Sequence, residues 1–310
     1  MALGTNNVTK TTAAKFIPEI WSDEIVAAYK ENLVAANLFS KMSFKGKKGD
    51  TLHIPKPTRG SASAKAASTQ VTLIAATENE IQVLINKHYE YSRFIEDIVE
   101  TQALSSLRKF YTDDAGHALA KQVDTDLIQL GRTAGSGTAY STANATTNAF
   151  IGSNGTTVYN SSSSNAAALT DAAIRRTIQR LDDADVPMTD RVLIVPPSTR
   201  NTLMGIARFT EQSFVGEQGS ANTIRNGLIG DVYGVKVYVT TNADNGAGSS
   251  GADRICLMAH KDAFCLAEQM GVRSQTQYKQ EWLATLFTSD MLYGVAELRD
   301  SSAVALAVPA

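Results

Sequence analysis

The apolar positions change period several times along the chain, and each change marks an element. From Pro18 to Ser40, "PEIWSDEIVAAYKENLVAANLFS" places Trp21, Ile25, Tyr29, Leu33 and Ala36 at spacings of three and four. That is the stripe of an amphipathic helix opened by a proline, packed either on the chain's own core or on a neighbouring copy. The period then drops to two. In "GDTLHIPKP", Leu52 and Ile54 point one way and Thr51 and His53 the other, while Pro55 and Pro57 confine the strand to an edge or a loop margin. Alternation returns in "TQVTLIAATENEIQVLINKHYEYSRFI", with Ile81, Val83 and Ile85 on one face and Gln82 and Asn86 on the other. The Gly/Ser/Ala stretch from Gly60 to Ser68 reads as the tip between them. A two-stranded excursion of this length is marginal alone in water, so it needs a surface of its own chain or of a partner.

Helical spacing resumes from Asp97 to Leu130 through Leu104, Leu107, Tyr111, Ala115, Ala118, Leu119, Val123, Leu127 and Leu130. Asp97 with Glu100 resembles a capping box, Gly116 is a candidate bend and Gly131 a natural stop. A helix of that span is a rod of about 50 Å. Between Thr133 and Thr170 no charged residue occurs, which predicts surface loops and a short hairpin around "AFIGSNGTTVY".

An α/β portion follows. "LTDAAIRRTIQRLDDADVP" is a helix capped by Thr170, with Ile174, Ile178 and Leu181 inward and Pro187 beyond its end. "RVLIVPP" reads as a buried strand and "STRNTLMGIA" as a short helix. "GLIGDVYGVKVYVTT" turns at Gly230 and Gly234 into an apolar strand. "DRICLMAHKDAFCLAEQ" gives two further strands or a strand pair, and "EWLATLFTSDMLYGVAELRDSSAVALAV" the closing strands. The order predicts an α+β fold and excludes a doubly wound sheet.

Composition narrows the function more than the fold. The 310 residues, 43% hydrophobic and 19% charged, describe an ordinary soluble chain of one large or two smaller domains. A net charge of −2 argues against a protein that condenses nucleic acid by itself. No apolar run reaches membrane-spanning length, and "MALGTNNVTKTTAAKF" lacks the apolar core of a signal peptide, so a soluble protein that stays where it is made is expected. Charge is nonetheless uneven. Lys45, Lys47, Lys48, Lys56, Arg59 and Lys65 stand against the single acid Asp50, so the hairpin is a basic ribbon, either a solvated loop or a clasp.

The search for catalysis finds little. His53, His88, His117 and His260 lack paired or HExxH spacing and read as surface or satisfied core histidines. Cys256 and Cys265, nine apart in apolar strands, read as buried reduced thiols. "GAGSSG", Gly246 to Gly251, matches a dinucleotide fingerprint by letter but opens no helix. "DDADVPMTD", Asp182 to Asp190, lacks the glycine and closing glutamate of a calcium loop and reads as a solvated helix end. No catalytic residue, cofactor or metal is expected. The distinctive parts are an arm, a projecting hairpin and a rod, which make contacts between copies.

In that order, these parts resemble the major capsid proteins of tailed bacteriophages, with the Hong Kong 97-type fold. "FIPEIWSDEIVAAYKENLVAANLFSKM" is similar to the family's N-terminal arm, "GDTLHIPKP" to the strand entering its extended E-loop, and 98–130 to its spine helix. "RVLIVPPSTRNTLM" and "GLIGDVYGVKVYVTTN" look like axial-domain segments, and "DMLYGVAELRDSSAVAL" like the last peripheral-domain strands. The resemblance implies an arm over 1–44, an E-loop over 45–90, a peripheral domain with the spine helix over 91–168, an axial domain over 169–274 and closing peripheral strands over 275–310. It implies hexamers and pentamers tiling an icosahedral shell around packaged double-stranded DNA that is not read by sequence. Assembly in the host cytoplasm into a virion capsid, a portal protein and a possible decoration protein follow from the same likeness. Only about fifteen polar residues precede Pro18, whereas some members carry a long prodomain there, so a separate scaffolding protein is expected. Members that weld neighbours use a lysine, an asparagine and a glutamate, a trio that does not align here, so Lys65 is given no crosslink.

On this reading the contacts between subunits involve Trp21, Ile25 and Tyr29 of the arm. Lys45, Lys47, Lys48, Lys56 and Arg59 of the ribbon face Glu96, Asp97 and Glu100 at the rod's start, or Asp113 and Asp114 midway. The alternatives are an encapsulin-type compartment shell and, more remotely, an α+β enzyme.

Overall fold

The computed structural model describes residues 34–46, 48–57, 60–71, 73, 78–97, 107–133, 149–160, 165–206, 230–243 and 253–310. The chain starts with a short helix, α1 (Ala35–Leu38), and strand β1 (Ser40–Ser43). A hairpin of β2 (Thr51–Pro57) and β3 (Glu78–Leu84) follows, then β4 (Lys87–Glu96). The long helix α2 (Leu107–Leu130) continues into a single 3-10 turn, Gly131–Thr133. Its 24 residues span about 36 Å. The part of the expected rod from 98 to 106 lies outside the described residues, as do most of the expected arm helix and the "GAGSSG" segment.

Next come β5 (Phe150–Ile151), α3 (Asp171–Asp183), β6 (Arg191–Val195), α4 (Pro197–Met204), β7 (Asp231–Val232) and β8 (Val235–Val239). The chain closes with β9 (Asp253–His260), β10 (Phe264–Lys279), β11 (Ala284–Glu297) and β12 (Ala303–Pro309). The strands form a six-stranded sheet, β5-β12-β9-β6-β8-β7, a four-stranded sheet, β1-β10-β11-β4, and the two-stranded hairpin.

The six-stranded sheet is covered on both faces, which is why β6 reads as an unbroken apolar run. Val192 and Ile194 face one core, shared with Leu119, Val123, Leu127 and Ile128 of α2. Leu193 and Val195 face the other, shared with Ile174 and Leu181 of α3 and Leu203 of α4. Thr170 caps α3 as expected: its hydroxyl accepts from the Ala173 N–H at 3.3 Å and donates to the Ser153 carbonyl at 2.6 Å. The acids of the helix end after it, Asp182, Asp183, Asp185 and Asp190, are exposed, as expected. Asp182 pairs at 2.7 Å with Arg191, whose guanidinium is buried and also donates to the Val186 and Pro187 carbonyls.

Gly131 does not act as a left-handed stop. A Cβ there would lie about 2.5 Å from the Leu257 methyls, so the glycine lets the end of α2 touch β9. The expected hairpin around Gly152 is present, with the Ile151 N–H on the Thr157 carbonyl and the Tyr159 N–H on Ala149. Tyr233 and Gly234, both at positive φ, form the two-residue turn between β7 and β8.

Of the two readings left open for the segment of β9 and β10, two separate strands is the one found. β9 and β10 are not a strand pair: the 3-10 turn Lys261–Ala263 carries the chain from one sheet into the other. The return crossing, Asp300–Ser302, does the same between β11 and β12. The two crossings touch, with the Leu298 N–H on the Ala263 carbonyl at 2.8 Å. A boundary at 274/275 therefore cuts through β10, and β12 belongs to the six-stranded sheet, beside β9, rather than with β11. Apolar periodicity marks a buried strand without naming its neighbour, so this division was invisible to it.

Candidate assembly surfaces

The hairpin is apolar where it meets the body and polar where it leaves it. β2 and β3 pair antiparallel from Thr51 opposite Leu84 to Pro57 opposite Glu78. Leu52 and Ile54 share a face with Val83 and Ile85, and that face packs on Phe44, Ala267, Leu292 and Ala296. The alternation seen in the sequence is the alternation of this root. Gly46 and Gly49, at φ 77° and 137°, turn the chain into it, and the Ile85 N–H bonds the Asp50 carbonyl at 2.8 Å. Beyond Pro57, the described residues 60–71 are all exposed.

Beneath the root lies a cavity of about 560 Å³ between the hairpin, the end of α2 and the β11–β12 crossing. Its charged lining is Lys56, Lys87, Asp126, Glu297 and Asp300. Asp126 is buried and satisfied: it accepts from the Tyr293 hydroxyl at 2.6 Å and Gln122 at 3.2 Å, and pairs with Lys87 at 3.0 Å. Burial, then the Asp126 carboxylate beside it, pushes the Tyr293 phenol well up. Glu297 is the exception. Its Oε1 is buried with no hydrogen-bond partner among the described residues, and burial followed by the neighbouring Asp300 pushes the carboxyl up to about 7.

A second surface sits at the far end of the four-stranded sheet. The turn Gln280–Trp282 joins β10 to β11, and Leu283 follows it in the left-handed region. The Tyr278 hydroxyl donates to Asp97 at 2.7 Å, and the Asp97 N–H donates to the Leu283 carbonyl at 3.2 Å. Phe94 and Trp282 stand 6.2 Å apart between ring centroids, both facing out.

The sequence-derived contact residues distribute unevenly over these surfaces. Trp21, Ile25, Tyr29, Lys47, Arg59 and Glu100 lie outside the described residues. Lys45 pairs with Glu268 of its own chain at 3.4 Å. Lys48 is exposed at the root, and Lys56 lines the cavity. Glu96 is exposed at the end of β4, opposite Ala284, and Asp97 is held by Tyr278. Asp114 accepts from the Tyr91 hydroxyl at 2.9 Å within the chain. The basic root is near Glu268 and the acidic end near Tyr278. Those positions are about 30 Å apart along β10 at some 3.3 Å per residue.

Two residues escaped the sequence reading. Asp124 accepts from the Ala35 N–H at 2.6 Å and from Asn242 at 3.1 Å, anchoring α1 on the rod. Burial raises its carboxyl, while these donors pull the other way. Asp126 holds Tyr293 and Lys87, as above. Both acids fall on the inward face of α2 beside Val123 and Leu127, and a polar residue on an apolar stripe is the available signal.

Little here has catalytic form. Among the described residues no group of three or more His, Cys, Asp or Glu is placed to hold a metal, and no helix is long and apolar enough to cross a membrane. Burial pushes the Cys256 thiol up to about 12 and the Cys265 thiol up to about 11. His53 pairs with Glu80, His88 with Asp290, and His260 accepts from the Asp262 N–H.

Residues 36–307 match the model of a family described as phage capsid protein. No curated protein sequence matches the chain. Among solved structures it is similar to a Mycobacterium phage Che8 chain, at TM-score 0.74 and 21% identity over 98% of both chains. The capsid of cyanophage P-SCSP1u gives a TM-score of 0.75 and 18% identity over 99% of this chain and 96% of that one. The mature capsid of bacteriophage PhiM1 gives 0.69 and 13%, over 94% and 92%. At these identities the likeness establishes the fold.

Proposed function

The chain belongs to the phage capsid protein family, and from that premise we propose how its parts build a shell. It is a major capsid protein, a structural component of the virion and not an enzyme, and its fold is the Hong Kong 97 type. An encapsulin-type compartment and an α+β enzyme are not favoured by that membership.

Our finer reading is that copies associate into hexamers and pentamers, which close into an icosahedral shell around double-stranded DNA. A separate scaffolding protein and a portal take part, and assembly occurs in the host cytoplasm. The observation that carries it is the finger: a hairpin with a buried root and an outer part, 60–71, that is exposed. Such a limb gains burial only on another molecule, and identical subunits related by rotation offer the same receiving surface at every position. The near-neutral net charge of −2 suits a shell filled by force rather than by condensation on basic arms.

The test is electron microscopy of the chain purified after co-expression with a scaffolding protein. Closed hollow particles with five- and six-fold clusters are expected. A chain that stays monomeric under all assembly conditions overturns the reading.

A further inference from the structure

Where β11 leaves the four-stranded sheet, two carboxyl groups stand together. Glu297 is the last residue of β11, and Asp300 opens the crossing that leads to β12. The Glu297 carboxyl hydrogen-bonds Asp300. Ionised carboxylates offer acceptors only, so a bond between the two requires that one of them carry a proton.

The remaining observation says which one. Glu297 Oε1 is buried with no hydrogen-bond partner among the described residues. A carboxylate oxygen cut off from water and from any donor is costly, and the carbonyl oxygen of a neutral carboxyl is much less so. Glu297 is therefore the proton holder and Asp300 the acceptor.

We propose that Glu297 and Asp300 form a proton-held latch on the β11–β12 crossing, shut while they share one proton and opened by its loss. The latch is a property of the single subunit and stands whether or not copies form a shell.

The crossing is where the two sheets are tied to each other. Beside Glu297, the Leu298 N–H bonds the Ala263 carbonyl of the other crossing at 2.8 Å, and the Ser302 N–H closes the turn on the Arg299 carbonyl at 3.1 Å. Without the shared proton, two negative charges face each other at hydrogen-bonding range in a partly buried site, where like charges repel strongly. The cavity of about 560 Å³ under the hairpin root, which Glu297 and Asp300 both line, gives the side chain room to turn towards water.

The other charged groups around the pair are engaged or turned to solvent. Lys87 of β4 pairs with Asp126 of α2 at 3.0 Å, and Lys56 of β2 is exposed. Arg299 is exposed, as are Lys261 and Asp262 of the touching crossing, where His260 accepts the Asp262 N–H. Opposite Glu297 on β10 stands the uncharged Phe264.

The direction of the response follows from the proton. The shut latch holds a proton that the open one gives up, so opening is favoured as pH rises. With the Glu297 carboxyl at about 7 when shut and 4.5 when open, opening becomes about tenfold easier between about pH 6 and pH 8.

The experiment is amide exchange of the full chain across that range, read by mass spectrometry and corrected for the intrinsic rate. Peptides covering Leu298 to Ser302 should lose about tenfold in protection and should exchange faster than Leu193 and Ile194 of β6 at each pH. Glu297→Gln, which donates to Asp300 without titrating, should abolish the dependence. Asp300→Asn, which donates to a Glu297 carboxylate and makes the proton unnecessary, should abolish it too. Protection independent of pH in the unsubstituted chain overturns the latch. So does a dependence that survives Glu297→Gln, which would place the proton elsewhere. Exchange at the crossing no faster than at β6 overturns it as well, since the crossing would then open only with the whole subunit. Should neither variant fold, the pH profile and the comparison with β6 in the unsubstituted chain still decide.

Discussion

Gly294 and Leu84 lie backbone against backbone. A methyl group at position 294 would strike the Leu84 carbonyl oxygen and come within 3.1 Å of the Ile85 Cα. The hairpin root thus crosses β11 with no side chain between them, and the finger's direction is fixed by main-chain contact. Gly294→Ala has to push the root away, at about 1–3 kcal/mol for an overpacked site. Amide exchange at Val83 and Ile85 should quicken while Leu193 and Ile194 keep their protection. Unchanged exchange at Val83 would mean that the crossing tolerates a methyl.

Glu297 makes stability depend on pH in an unusual direction for a carboxyl. Its folded value is raised to about 7 from 4.5, by burial first and Asp300 second. Between those values the folded chain holds a proton that the unfolded chain has lost. Stability from this group is therefore complete below about 4.5, declines as pH rises towards 7 and then levels off. Lys56, Lys87, Asp126 and Asp300 are the other charged groups lining the same cavity. Glu297→Gln should flatten the melting profile across that window. Parallel profiles for the two proteins would remove Glu297 from the account.

The two thiols should be silent. With Cys256 raised to about 12 and Cys265 to about 11, almost no thiolate exists at neutral pH, and both side chains are buried. Iodoacetamide should label neither in the folded chain and both after denaturation, as mass spectrometry would report. Rapid labelling of the folded chain would contradict the packing around β9 and β10.

Lys48 tests the basic ribbon, since it is exposed and, unlike Lys45, pairs with no acid among the described residues. Reversal by Lys48→Glu should leave the subunit's melting temperature within error, because single exposed charges are worth about 0–1 kcal/mol. Assembly followed by light scattering should slow, the same loss recurring at every copy. An unchanged assembly rate would return Lys48 to the solvent.

Local features were the legible ones. The alternation of Leu52 and Ile54 against Val83 and Ile85, the Thr170 cap and the apolar run of β6 depend on neighbours a few residues away, and they fold as their spacing predicts. What required three dimensions was partnership. β9 and β10 carry the same apolar signature and enter different sheets, because a pattern of burial names no strand across the gap. Gly131 and Gly294 look like punctuation, yet each is a place where two backbones or a backbone and a leucine must touch. Asp124 and Asp126 share a stripe with apolar members, and acids on that stripe are the sign of a tie to another segment.

The long helix packs on both sheets at once: its Leu119, Val123, Leu127 and Ile128 share one core with Val192 and Leu257 on one side and Phe264, Met291 and Tyr293 on the other. The two touching crossings close the remaining gap. The inner face of the helix from Leu119 to Ile128 is thereby braced by both sheets. If copies close into the proposed shell, a subunit braced in this way leaves curvature to be taken up between neighbours.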